Sequence, residues 1–499
     1  MPRSLARDAL LRGGTVVLQL AASVVLTPLV ARALGVAGYG VIVLLSSLAS
    51  WALLLSAGLG PTLVRALAEH RATGNAAERD ETASTVFAAF LVAGASCLLL
   101  ALALAPGLER IFHIPPAHVR GAQVTLLLLA VAMAVQFPGS VNGALLMAHE
   151  RYDLTLRINL GLLALRTAAT VVVVRRWPSI ELVAAVSAGA MVLEQVAYFV
   201  LARRIDPTIR VSLRLARRSR LRSLSAFSGR VLLVGLSERL IHASDELVIA
   251  TALGPAPVSD YAFALRLVDY PREALLRGAE VALPNATGSH AKGRDDALRA
   301  LWLSGSKGLL CFAVPAAWTL ALWGDAALSR WLTPDVGARG RWIVVLLAPA
   351  LVASVAGRMT ARPILIALGD LTPAVRASAF EGIANLLLSV VLVRRMGIEG
   401  VALGTLIPSL VAGLFAMPLA VGRRLGVSWA RWAREVLLPV VAASPPTVIA
   451  LVGMRAAGLD RSLPGVALAG AVALVVYVIT AWWAVLTPQE RAWVMKRQA

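Results

Sequence analysis

Apolar residues run along this chain in long stretches, separated by short polar segments that carry most of the charge. A helix rises about 1.5 Å per residue and needs roughly 20 apolar residues to cross a hydrocarbon core of about 30 Å. Stretches of that length fall at 13–34, 38–60, 84–106, 119–147, 154–174, 179–202, 226–253, 258–284, 300–324, 341–369, 373–393, 397–422, 432–455 and 463–486. The pattern predicts an all-α polytopic membrane protein with about fourteen transmembrane helices. No polar stretch longer than about 25 residues interrupts the series, so no soluble domain is expected.

Composition agrees: 58% of the 499 residues are hydrophobic and 15% charged, whereas soluble domains are about one quarter charged. The formal charge of +20 raises nucleic acid as a partner, but the basic residues lie between apolar stretches, where they act as a topology signal. No nucleic-acid partner is expected. More than twice as many Lys and Arg fall on the N-terminal side of the predicted bilayer as on the other. The positive-inside rule therefore puts both termini in the cytoplasm. An alkaline-phosphatase reporter fused after Arg222 should be inactive, and strong activity there would overturn this orientation. Arg3, Arg7 and Arg12 precede an apolar run ending at Ala31-Arg32-Ala33, which loosely mimics a cleavable leader. The run is long enough to span, and we expect it to be kept as an anchor.

Eight arginines, Arg203, Arg204, Arg210, Arg214, Arg217, Arg218, Arg220 and Arg222, crowd the segment between the sixth and seventh spans. Near anionic lipid each is worth about 1 kcal/mol. The two halves echo one another: Arg32-Ala33-Leu34-Gly35 precedes Tyr39, and Thr251-Ala252-Leu253-Gly254 precedes Tyr261. Such self-similarity predicts parallel repeats of six helices. The expected organisation is an N-terminal lobe at 1–202, a basic cytoplasmic linker at 203–225, a C-terminal lobe at 226–425, and two additional helices with a cytoplasmic tail at 426–499.

Leaving aside those within three residues of a span end, nine Lys or Arg residues fall inside predicted spans. At about 2.5 to 3.5 kcal/mol each on insertion scales, placing all of them against lipid would cost about 20 to 30 kcal/mol, more than folding stability can carry. They must lie near helix ends or face a hydrated interior. On a continuous helix at 100° per residue, Glu238, Arg239, His242, Asp245 and Glu246 share an arc of about 120°. In the next span Arg266, Asp269, Tyr270, Glu273, Arg277 and Glu280 share a similar face ahead of Pro284. Glu273 can pair with Arg277, and Arg266 with Asp269 or Arg277 with Glu280. The alternating signs fit either interhelical neutralisation or a cavity whose arginines hold an anionic head group by bidentate hydrogen bonds.

For the cavity reading the substrate-binding candidates are Arg239, Arg266, Arg277, Arg166, Arg358 and Lys307. The ion-coupling candidates are Glu238, His242, Asp245, Glu246, Asp269, Glu273 and Glu381. Arg230 and Arg362 lie near cytoplasmic helix ends, where snorkelling accounts for them. His242, between Glu238 and Glu246, could titrate near neutral pH. Pro28, Pro138, Pro315, Pro349, Pro408, Pro445 and Pro446 permit bends, and Gly400 with Gly404 forms a GxxxG packing surface. Cys97 and Cys311 have no CxxC or Cys/His spacing and are expected to be inert. No P-loop, HExxH, GxSxG or acidic metal cluster occurs, so no cofactor, metal or enzymatic activity is expected.

The segments 31-ARALGVAGYG-40, 57-AGLGPTLVRALAEH-70, 145-LLMAHERYDL-154, 367-ALGDLTPAVRASAFEGIANLLLSVVLV-393 and 397-GIEGVALGT-405 resemble polysaccharide and oligosaccharide (O-antigen-type) flippases. These belong to a superfamily that also holds lipid II flippases and multidrug exporters. The resemblance implies two six-helix lobes in a V around a central cavity, with two further helices at the C-terminus. It implies alternating-access flipping of an undecaprenyl-diphosphate-linked oligosaccharide across the bacterial inner membrane, for lipopolysaccharide or exopolysaccharide biosynthesis. The polyprenyl-diphosphate-linked oligosaccharide and membrane lipids are then the partners, with polysaccharide polymerase and glycosyltransferases as candidate neighbours. The motifs concern loops and packing and carry over no site residue. A lipid II flippase or a multidrug exporter of the same fold is the alternative, the exporter with fewer cavity arginines and more aromatics. A polymerase or ligase of lipid-linked sugars would need a large extracytoplasmic loop, and none is visible.

Overall fold

The computed structural model describes residues 2–491 except 57, 281 and 489, with the backbone alone at 2–17, 225–231, 234, 280, 282, 284 and 285. The side chains of Arg230 and Pro284 and that of Glu280 therefore lie outside the described residues. Among the described residues there is no strand. The helices in chain order are α1 (Pro2–Ala52), α2 (Leu59–Thr73), α3 (Ala76–Leu104), α4 (Leu108–Phe112), α5 (Pro116–Ala148), α6 (Tyr152–Arg176), α7 (Ile180–Ile205), α8 (Arg218–His242), α9 (Asp245–Leu253) and α10 (Pro255–Glu280). There follow α11 (Ala282–Ala291), α12 (Asp295–Trp331), α13 (Pro334–Ser354), α14 (Thr360–Ala367), α15 (Thr372–Val411), α16 (Met417–Leu425), α17 (Trp429–Trp432), α18 (Leu438–Ala442), α19 (Pro445–Ala456) and α20 (Leu463–Ala484).

Among the described residues ten helical stretches are long and apolar enough to cross a membrane. Two of them each hold two crossings, because the chain turns inside α1 at Gly35 (φ 71°) and inside α15 at Gly397 (φ 63°). Only glycine adopts a left-handed backbone there without a Cβ penalty. Helices α8 with α9, and α10, carry too many charges to pass on hydropathy, and with them the chain makes the expected fourteen or so crossings. The predicted seventh span differs from expectation in one respect. It is not one helix: a bend at Ala243-Ser244 separates α8 from α9. The Ser244 hydroxyl donates to the Leu240 carbonyl (2.6 Å), taking an acceptor at the helix end, and Asp245 and Glu246 form the first turn of α9, where the backbone N–H groups favour acidic side chains. The common arc drawn from Glu238 to Glu246 on a continuous helix therefore does not form.

The chain forms two compact units, one of residues 1–239 with 250–259 and the other of 240–249 with 260–499. In the first, α5 packs against α3 and α7. Gly139 and Gly143 receive Gln195 and Tyr198 of α7 so closely that a Cβ at Gly139 would lie 2.7 Å from Gln195 Oε1. The stretch after α7 is strapped to this unit: Arg79 pairs with Asp206 (2.7 Å), Thr85 accepts from the Arg217 amide (3.0 Å), and Arg220 pairs with Glu78 and Glu81. Burial pushes the Asp206 carboxyl up, but bonds from Thr208 and the charge of Arg79 outweigh it and hold the group below its ordinary value. The echoed glycines Gly35 and Gly254 both have positive φ, and Ser259 Oγ donates to the Val36 carbonyl (2.5 Å).

In the second unit α12 packs along α13 and α20. The C-terminal pair is held there by Trp323, whose Nε1 donates to the Leu451 carbonyl (3.1 Å), and by Arg455 against Asp325 (2.6 Å). The five expected bend prolines from Pro28 to Pro408 all lie inside helices, and Pro445 with Pro446 opens α19. Gly400 and Gly404 let the two arms of α15 meet: a Cβ would lie 2.5 Å from the Leu392 carbonyl or 2.4 Å from Ser389 Oγ. Wide helical turns occur at Val355–Met359 and Ala412–Ala416, a distortion often found at functional sites. They touch through Gly357 and Gly413, where a Cβ on Gly357 would lie 2.5 Å from the Gly413 Cα.

Candidate functional site

The polar residues of the second unit meet in a cavity of about 90 Å³ lined by residues of α8, α9, α10, α13, the following wide turn and α15. At a share of about 30 Å³ per water, that is room for some three waters or a small ion. His242, Asp245, Asp269, Arg272, Arg358, Thr405 and Ser409 all reach it.

Asp245 is 4% exposed. Its Oδ2 accepts from the Tyr261 hydroxyl (2.5 Å) and from Thr405 Oγ1 (2.8 Å). Asn385 Nδ2 lies 3.3 Å from the same Thr405 oxygen, and Ser389 Oγ donates to Asn385 Oδ1 (3.1 Å). The Asp245 Oδ1 and Glu246 Oε2 atoms are buried without a hydrogen-bond partner among the described residues, and no Lys or Arg among these residues forms an ion pair with either carboxylate. Two adjacent buried carboxylates in this setting need a compensating positive charge, because like charges and desolvation both disfavour the doubly ionised form.

On the far side of the cavity Arg358, carried by the wide turn, places Nη1 2.8 Å from Glu381 Oε2, while its Nη2 donates to Ser354 Oγ (3.1 Å). The first contact is an ion pair by distance; its N–H is not aimed as a hydrogen bond. Glu381 is 2% exposed and accepts from Ser409 Oγ (2.7 Å). On α10 the pairing differs from the spacing argument. Arg272, a residue that argument passed over, donates Nε to Asp269 Oδ1 (2.8 Å), lies 3.7 Å from Glu273 and reaches within 3.5 Å of His242 Nε2. Asp269 and Glu273 therefore meet Arg272 rather than Arg266 and Arg277.

The other candidates lie elsewhere. Glu238 and Arg239 are half-buried on α8, and Arg266 and Arg277 are exposed on α10. None of the four lines this cavity. Arg239 makes no hydrogen bond or ion pair with a described residue, and Arg266, although it forms no direct ion pair, places its positive charge near enough to act on Glu246. Lys307 is bound by Glu490, which follows α20, at 3.1 Å, with Ser304 beside it. Burial pushes the Glu490 carboxyl up, but Thr487 and Lys307 more than offset that and hold it below its ordinary value. Arg166 belongs to the first unit, where it lines a separate cavity with Asn159 and Glu194. Cys97 is buried and Cys311 half-buried, both as free thiols.

Sequence reasoning missed Arg272, Asn385, Thr405 and Ser409. A signal for part of this set was present: Ser378, Glu381, Asn385 and Ser389 recur at helical spacing along one face of an otherwise apolar helix, as do Thr405 and Ser409 on its second arm.

Comparison with solved structures places the fold. The chain superposes on the inward closed conformation of the lipid II flippase MurJ with a TM-score of 0.75 and 13% identity, covering 94% of this chain and 97% of that one. It superposes on the inward-facing conformation of a multidrug resistance MATE family transporter of the MOP superfamily with a TM-score of 0.69 and 16% identity, covering 84% and 98%. A MOP superfamily transporter from Pyrococcus furiosus gives 0.58 and 16% over 84% and 95%. At these identities the likeness establishes a shared fold. No curated protein sequence matches the chain. The sequence pattern of the family described as polysaccharide biosynthesis protein covers residues 29–334, well over half of the chain, and the protein is a member of that family.

Proposed function

We propose that the protein flips a polyprenyl-diphosphate-linked oligosaccharide, of the undecaprenyl type, from the cytoplasmic to the outer leaflet of a bacterial inner membrane, both termini being cytoplasmic. Family membership supports the polysaccharide assignment. The observation that carries the transport reading is the pair of intramembrane arginines without counter-ions among the described residues, Arg166 and Arg239. Each is costly in lipid and each is suited to an anionic head group that arrives and leaves. A diphosphate supplies that anion, while the polyprenyl tail stays in lipid.

Access alternates between the two faces, and the small cavity around Asp245 couples the change to an ion. Its carboxylates take a proton or a small cation in one state and release it in the other. A ligand moves such an equilibrium only by its differential affinity for the two states, and a buried carboxylate pair gives a large one. The arginines and hydroxyls in these cavities, in place of a cluster of aromatic side chains, favour the sugar-lipid reading over export of apolar drugs.

Reconstitution into liposomes with a defined undecaprenyl-diphosphate-linked oligosaccharide tests the function. Protein-dependent movement of the head group to the opposite leaflet, measured by its accessibility to an impermeant glycosidase, is the expected result. Unchanged accessibility in protein-containing vesicles overturns it.

A further inference from the structure

The first unit contains a second polar cavity, of about 270 Å³, in the spans α1, α6 and α7. It is three times the volume of the Asp245 cavity and close to the lower bound of small-molecule sites, about 300 Å³. Its polar lining is Gln19, Asn159, Arg166, Ser187 and Glu194. Asn159 and Arg166 stand seven residues apart on α6, and Ser187 and Glu194 seven apart on α7, so each helix turns one polar face to the cavity. Arg166 is about 21 Å along its helix from Tyr152, near the middle of the bilayer.

Arg166 is exposed there. It makes no hydrogen bond or ion pair with any described residue, although Glu194 lines the same cavity. A structural arginine at this depth would take that carboxylate as its partner. Glu194 is instead engaged one turn along its own helix: its Oε1 accepts from the Tyr198 hydroxyl (2.9 Å), which also lies 3.0 Å from Asn159 Oδ1. The result is a division of chemistry along the cavity. One part is a guanidinium with its donors unused, matched to phosphate oxygens. The other is a carboxylate, an amide and a phenol held in register, a set that accepts from and donates to vicinal hydroxyls.

We propose that this cavity binds the junction between sugar and phosphate in a glycosyl diphosphate, with Arg166 on the phosphate and Glu194 and Asn159 on the hydroxyls of the first sugar. The inference rests on the flippase reading and deepens it, because it assigns head-group recognition to the first unit, apart from the Asp245 cavity.

The test uses the purified full chain in nanodiscs of zwitterionic lipid, with binding measured by calorimetry for two probes: farnesyl diphosphate, and the same diphosphate carrying one N-acetylglucosamine. The native protein should bind the glycosylated probe the more tightly. Arg166→Gln should weaken both probes by about tenfold to a hundredfold. Glu194→Gln should leave farnesyl diphosphate unaffected and remove the preference for the sugar. Equal binding of both probes by the native protein and both variants overturns this site while leaving the flippase reading intact. Absence of binding by the native protein, with no transport in the liposome assay, overturns both. Phosphatidylglycerol presents a similar phosphate, so a second series includes it in the nanodisc. Full displacement of the glycosylated probe by that lipid would show a lipid-phosphate site and overturn the proposal. Because Arg166 has no partner to lose among the described residues, the Arg166→Gln chain should keep the native unfolding temperature, which separates lost binding from lost folding.

Discussion

Arg358→Ala should destabilise the protein by about 3 to 5 kcal/mol, seen as a lower unfolding temperature in detergent and as reduced abundance in the membrane. Glu381 is 2% exposed, and Arg358 is the cation beside it at 2.8 Å. Removing the guanidinium leaves a buried carboxylate with, among the described residues, only Ser409 to serve it. A loss of that size is a large fraction of the 5 to 15 kcal/mol by which ordinary folds are stable. Removing both charges costs far less, because a buried pair returns little more than its desolvation. Arg358→Met combined with Glu381→Leu should therefore recover most of the unfolding temperature. Arg358→Lys should recover only part, since one ammonium cannot meet both Glu381 and Ser354 in the fork geometry of the native side chain. If Arg358→Ala instead kept its stability and lost transport, Arg358 would be free to meet the substrate, and the Glu381 pairing would not be its main role.

Asp245→Asn should uncouple transport from the ion gradient. The substitution is nearly isosteric and keeps an oxygen for Tyr261 and Thr405, so abundance should hold. In proteoliposomes the native protein should respond to an imposed proton or sodium gradient. One charge moved through 100 mV is worth about 2.3 kcal/mol, roughly a fiftyfold bias. The Asn chain should show no such response, and comparison of the two gradients names the ion. Thr405→Val and Asn385→Leu should act in the same direction more weakly, since each removes one polar contact around the carboxylate and leaves its charge. A gradient-driven Asp245→Asn chain would place the coupling elsewhere.

These two predictions concern residues that were unequally visible beforehand. Asp245 and Arg358 stand out in any reading of the sequence, because a charge inside an apolar run is rare and costly. Their partners do not stand out. Thr405 is 160 positions from Asp245, and a threonine in a membrane helix is ordinary. The pairing on α10 shows the same difficulty at short range: Asp269 has arginines on both sides in sequence, and helical spacing admits Arg266 as readily as Arg272. Side-chain direction along the helix and the neighbouring His242 favour Arg272.

Hydropathy is a sum over neighbouring residues, so the number of crossings and the all-helical class follow from the order of amino acids with no knowledge of contacts. A backbone in lipid must satisfy its own hydrogen bonds, which leaves helices as the solution. The turns at Gly35 and Gly397 were likewise within reach, since both lie in short Gly-containing joints between apolar runs. The bend at Ala243-Ser244, the commitment of Arg358 to Glu381, the docking of Lys307 on Glu490 and the lack of a partner for Arg166 among the described residues were not. Each depends on which helix faces come together, and burial sets the strength of a charge interaction only after those faces have met. The fourteen or so crossings were thus a property of the chain read locally, whereas the cavity around Asp245 exists because distant polar residues were brought to one place by packing.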